Sequence, residues 1–238
     1  MKTTQISAHS WQLTRLGLVN TYLVRESDGF TLIDTGIAGS AAPILDAARS
    51  LGAPITRILL THAHGDHIGS LDKLTHLLGS VDVAISPRDA RLLPKPPAQD
   101  LSLDSNEPQC KIKGSLPGAV TTPTHSISDG ELYGSLRCFA TPGHTPGHFS
   151  FLDERDGTLY VGDALCTMGG KPHIAGWAPW FFPLPNFGTW HRPTAKVSIQ
   201  RLLKTIPTET PIRHIVSGHG RILEGGNNLL DAALAEAI

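Results

Sequence analysis

Residues 61–67 read Thr61-His62-Ala63-His64-Gly65-Asp66-His67, three imidazoles and a carboxylate within six consecutive positions. Each neutral imidazole and each ionised carboxylate is a competent donor to a zinc ion, so the stretch reads as a metal site. Before it, the apolar run from Ile55 to Leu60 has the character of a buried strand; after it, a helical pattern begins near Ile68. The donors therefore sit on a strand-to-helix turn, where the backbone can aim several side chains at one point.

Working outward, Val19 to Val24 and Phe30 to Ile33 read as paired strands joined by the Asp28-Gly29 turn. Ala41 to Leu51 has helical spacing and stops at Gly52, and a short strand is expected from Val81 to Ile85. Residues 93–124 carry six prolines and read as a long irregular connection. Strands are expected again at Leu136 to Ala140, Phe149 to Leu152, Thr158 to Val161 and Ile212 to Val216. Helices are expected at Ala195 to Ile206 and Leu229 to Ile238. Strands and helices interleave in both halves, which predicts an α/β arrangement in one domain spanning 1–238.

Composition narrows the classes. Apolar residues make up 40% and charged residues 17%, with 24 Gly and 18 Pro, which suits a compact, loop-rich protein. A net charge of −1 supplies no basic field for nucleic acid. No continuous apolar stretch marks a leader or a membrane span. The three cysteines, Cys110, Cys138 and Cys166, lie 28 residues apart and make neither a disulfide framework nor a CxxC zinc motif. A reducing cytoplasm is the expected location.

Three more donors follow predicted strands, and each comes straight after a glycine: Gly143-His144, Gly162-Asp163 and Gly218-His219. Together with the first cluster they make His62, His64, Asp66, His67, His144, Asp163 and His219, too many for one tetrahedral ion and suited to two ions sharing a carboxylate. Nitrogen and oxygen donors without thiolate favour zinc, with iron or manganese also acceptable.

These elements resemble the metallo-β-lactamase superfamily. Its HxHxDH signature stands here as His62-Ala63-His64-Gly65-Asp66-His67, and Leu32-Ile33-Asp34-Thr35-Gly36, Pro142-Gly143-His144, Gly162-Asp163 and Gly218-His219 follow in the family's order. The resemblance implies a four-layer αββα sandwich with the ions at one edge of its two sheets. It implies that His62, His64 and His144 hold one ion, that Asp66, His67 and His219 hold the other, and that Asp163 bridges them. It also implies that Asp34 and His148 support the loops and that Asp66 accepts a hydrogen bond or proton. The implied chemistry is hydrolysis by metal-activated water.

Residues 167–191 hold six of the chain's fourteen aromatics among four prolines, and start just after Asp163. Trp177, Trp180, Phe181 and Phe182 are expected to form an apolar wall over the metals; the same segment packed on a second copy would make a homodimer. The expected reaction is hydrolysis of an ester or lactone of a small molecule. A glyoxalase-II-like thioesterase shares the motifs, but only 19 residues follow His219, too few for the helical region that recognises glutathione. A mononuclear iron persulfide dioxygenase and a non-catalytic metal-binding protein are the alternatives of other classes.

Overall fold

The strand expected ahead of the histidine cluster is β5 (Ile55–Leu59), inside a seven-stranded sheet. The structure is a computed structural model and describes residues 1–207 and 209–237. The chain divides into two compact units, Met1–Asp100 with Ser115–Ile127, and Leu101–Gly114 with Ser128–Ile238.

In the first unit, β1 (Lys2–Gln5), β2 (Ser10–Arg15), β3 (Val19–Arg25) and β4 (Phe30–Ile33) run antiparallel in sequence order. β5, β6 (Asp82–Ile85) and β7 (His125–Ser126) then add in parallel. The hairpin between β3 and β4 matches the sequence reading, whereas β1 and β2 extend the sheet beyond it. The parallel joins need crossovers, supplied by α1 (Ala41–Ser50) and α3 (Leu71–Leu78), which pack on each other. α1 turns Ala41, Ile44 and Ala48 inward, and burying Ile44 contributes about 2–3 kcal/mol. It ends as its sequence predicts: Gly52, at φ +79°, donates its N–H to Arg49 O at 3.0 Å.

The helix expected from Ile68 onward is two helices, α2 (Gly65–Ile68) and α3, with a break at Gly69-Ser70. Ser70 causes it. Its hydroxyl donates to Ile37 O at 2.7 Å and accepts the Ser40 N–H at 2.8 Å, which ties the turn to the loop after β4. Asp72 on α3 fixes the start of the return to β7 by accepting the backbone N–H groups of Val120 and Thr121 and the Thr121 hydroxyl. Burial pushes its carboxyl up, but these bonds and Lys95 outweigh that and hold it below the ordinary value.

The second unit has a six-stranded sheet in the order β15-β14-β11-β10-β9-β8, built from β8 (Leu132–Tyr133), β9 (Leu136–Ala140), β10 (Phe149–Asp153), β11 (Thr158–Tyr160), β14 (His214–Val216) and β15 (Leu223–Glu224). β11 and β14 are parallel and the other pairs antiparallel, so β9, β11 and β14 all point the same way. β12 (Leu165–Cys166) and β13 (His173–Ile174) form a separate ribbon. α6 (Arg192–Thr205) buries Ala195, Ser198, Ile199 and Leu202, the i, i+3, i+4, i+7 stripe that its sequence predicts. Ala195, Ile199 and Leu202 join Leu159, Val161, Ile215 and Leu230 in the unit's core.

Within the aromatic segment, α5 (Leu184–Gly188) is the one short α-helix. α7 (Asn227–Glu236) replaces the expected helix to Ile238, whose last residue lies outside the described residues. No helix among the described residues is long and apolar enough to cross a membrane.

Candidate metal centre

Each donor-bearing loop follows the C-terminal end of a strand, with His62 after β5, His144 after β9, Asp163 after β11 and His219 after β14. Since β9, β11 and β14 share a direction, their three loops leave one edge of the second unit's sheet, where α/β proteins usually bind ligands.

On the first unit, His62, His64 and His67 are buried and Asp66 is half-buried. His62 Nε2 faces His64 Nδ1 at 3.1 Å, and the His62 and His67 rings lie 4.0 Å apart. Surrounding acceptors fix which nitrogen of the His62 and His67 rings carries its proton. The Thr61 hydroxyl donates to Asp34 Oδ2 at 2.8 Å, so it can only accept from His62 Nδ1, 2.9 Å away. That leaves His62 Nε2 with a lone pair. Asp34 Oδ2 takes the proton of His67 Nδ1 at 2.7 Å, leaving Nε2 of that ring basic. Asp34 also accepts the Thr61 N–H at 2.8 Å and does so from a left-handed backbone, φ +58°, which Asp tolerates better than most residues.

On the second unit, the Thr189 hydroxyl donates its proton to Pro185 O, so it accepts from His144 Nδ1 at 3.2 Å and leaves the lone pair of that ring on Nε2. Asp163 Oδ2 stands 3.5 Å from that nitrogen and 3.3 Å from His219 Nε2. His148 Nε2 accepts the Asp163 backbone N–H at 3.0 Å, which places its own proton on Nδ1, toward Thr141 Oγ1 at 2.9 Å. His148 thus holds the peptide of Asp163 while its ring stays off the donor set.

The seven candidate donors are His62, His64, Asp66 and His67 on the first unit and His144, Asp163 and His219 on the second. Lone pairs aimed inward, protons committed outward and a carboxylate beside two imidazoles are what cation ligation requires, so the residues fit a dinuclear metal site. Thr61, Thr189 and Thr141, which set the tautomers, went unselected in the sequence. Thr61 adjoins the motif, but nothing local marks Thr189, 45 residues beyond His144.

The aromatic segment divides. Trp190 is buried, with its indole N–H on Cys110 O at 3.0 Å, and Trp177 packs against the second unit's core. Phe182 is buried beside Cys166 and Ala178, its ring 5.3 Å from that of His219. Trp180 (89% exposed), Phe181 and Phe187 face outward.

Cys166 and Cys138 are buried, and burial pushes both thiols up to about 12. Alkylation of the native protein at about pH 8 should therefore modify Cys110 alone, read by intact mass, and all three cysteines after unfolding.

The family model of the metallo-β-lactamase superfamily matches residues 14–219, and the chain belongs to that superfamily. Over 231 residues, 95% of each chain, it is 43% identical to the uncharacterized protein YobT of Bacillus subtilis (strain 168). It is 31% identical to the hydroxyacylglutathione hydrolase of Legionella pneumophila (strain Corby) over 58% of this chain and 44% of that enzyme. Its fold matches the metallo-beta-lactamase from Pontibacter korlensis with a TM-score of 0.69 at 21% identity, covering 99% of this chain and 98% of that one. The architecture is the αββα sandwich of that fold, two mixed sheets flanked by helices. With its HxHxDH motif and two donor groups, the chain is a metal-dependent hydrolase.

Proposed function

We propose that this hydrolase uses two zinc ions to cleave an ester or lactone bond in a small molecule carrying an apolar portion. His62, His64 and His144 would hold one ion and Asp66, His67 and His219 the other, with Asp163 shared. When bound, such ions acidify a water and polarise the scissile carbonyl. Thr61, Asp34 and Thr189 keep the imidazole lone pairs directed at the site, and His148 keeps Asp163 in place. Asp66, with 34% of its side chain exposed, is the donor that can take up a proton and pass it to solvent.

The apolar preference rests on Phe182, whose ring lies against the imidazole of His219, with Phe181 and Trp180 exposed beside it. Those side chains supply the hydrophobic lining that small-molecule sites use for affinity. The substrate is a free small molecule, with no nucleic acid or membrane involved, and three free cysteines suit the cytoplasm.

The test is a panel of esters, lactones and thioesters with purified protein of measured metal content. Two zincs per chain with ester or lactone turnover support the reading. Thioester turnover alone would move it toward the hydroxyacylglutathione hydrolases, and one iron with oxygen uptake would replace it. In the same panel, Trp180→Ala with Phe181→Ala should raise KM for long-chain esters about tenfold, close to the loss of 1–2 kcal/mol of apolar contact, and leave short-chain KM unchanged. An unaltered chain-length profile together with a change from dimer to monomer would give the segment to a homodimer interface.

A further inference from the structure

Past β5 the metal-binding strand leaves its sheet: the last ladder bond is Leu60 N–H to Ala84 O at 2.9 Å. Beyond it, alternate backbone N–H groups are caught one by one. Thr61 N–H goes to Asp34 Oδ1 at 2.8 Å, Ala63 N–H to Asp89 Oδ2 at 3.0 Å, and Gly65 N–H to Ser115 O at 2.9 Å. Two carboxylates and a carbonyl thereby stand in for a missing neighbouring strand. The chain stays extended at His64 (ψ 153°), and in an extended chain side chains two apart share a face, here His62 and His64.

We propose that Asp89 is a positioning residue for the His62–His64 pair, acting through the Ala63 peptide; this rests on the metal reading above. Asp89 is fully buried, as is Ala63, whose methyl group offers no polar handle of its own. Its placement is fixed from both sides. Asp89 lies in α4 (Pro87–Ala90), where its N–H donates to the capping Ser86 Oγ at 3.1 Å, and its carbonyl accepts the Leu92 N–H at 2.9 Å. Leu92 and Leu93 are buried immediately after. Burying a carboxylate costs several kcal/mol unless it is well paired, so a residue whose only task was to start a four-residue helix would not need one. The bond to Ala63 gives that carboxylate a task. With it in place, the peptide between the two imidazoles cannot rotate, and His62 Nε2 and His64 Nδ1 remain 3.1 Å apart.

The experiment titrates zinc into apo protein against a chromophoric chelator, for wild type, Asp89→Ala, Asp89→Asn and a His144→Ala reference that identifies the step using His62 and His64. Asp89→Ala should weaken that step about 10–100-fold and leave the other within about threefold. Asp89→Asn, whose amide oxygen can still accept from Ala63, should recover most of the loss. Nitrogen shifts of His62 and His64 in the apo protein should broaden in the alanine variant alone. Equal weakening of both steps, or no weakening, overturns the proposal; an asparagine variant as poor as alanine overturns the hydrogen-bond mechanism. If Asp89→Ala does not fold, Ser86→Ala, which loosens Asp89, must weaken the same step or the proposal falls. Wild-type protein that takes up no zinc would instead overturn the metal reading itself.

Discussion

Asp163→Asn lowers turnover by at least on the order of 10³-fold, roughly 4 kcal/mol of barrier, and reduces the metal content of the purified protein. Asp163 is the carboxylate that stands within 3.5 Å of His144 Nε2 and 3.3 Å of His219 Nε2. An amide keeps its shape but loses the charge that a shared ligand, the role proposed for Asp163, would bring to two cations. The backbone N–H of Asp163 still reaches His148, so the fold is expected to survive with a circular dichroism spectrum like that of the wild type. Metal analysis and steady-state kinetics on one preparation read the result. A fully active, fully loaded Asp163→Asn protein would remove the shared-carboxylate site.

Gly143→Ala should destabilise the protein by about 3–5 kcal/mol, a range reserved for backbone collisions and similar faults. Gly143 has φ +139°, and a Cβ there would fall 2.3 Å from Ala195 Cα and 2.4 Å from its nitrogen. Neither atom can yield, because Ala195 lies in the first turns of α6 and its N–H bonds His191 O. The turn is pinned there from its other side too, since Trp190 N–H donates to His144 O and His191 N–H to Gly143 O, each at 2.9 Å. Relieving the clash would therefore drag His144 away. Gly130→Ala is the control. It has a positive φ of +82° with nothing within 4 Å, so it should cost only about 1 kcal/mol. Denaturant unfolding of the two variants separates collision from backbone strain; equal losses would mean that the α6 contact is unimportant.

The candidate donors stood out in the chain because imidazoles and carboxylates at this density have few other uses, and because glycine precedes three of them. The strands around them were equally plain, being short apolar runs bounded by turn residues. What escaped depends on partners remote in sequence. A single helix was expected through Gly69, since no local signal shows that the Ser70 hydroxyl is drawn to Ile37, or that a side chain at 69 would strike Ala38 N at 2.6 Å. The Thr189 contact with His144 and the Asp89 contact with Ala63 are tertiary in the same sense. β1 and β2 mix polar and apolar residues, as Lys2-Thr3-Thr4-Gln5 shows, and are recognisable as strands only through their pairing.

β11 and β14 lie side by side, Tyr160 opposite Val216, so Asp163 and His219 emerge next to each other although a long stretch of chain separates them. Their spacing belongs to the sheet and not to what is strung between them. Side chains can accordingly be exchanged at the exposed positions Trp180, Phe181 and Phe187 with little disturbance to Asp163 and His219, whereas Ile174, Ala175 and Trp177 pack in the unit's core and must stay. Under the proposed function, selectivity would thereby be uncoupled from chemistry, and exchanging those exposed positions would be the natural route to retargeting the enzyme.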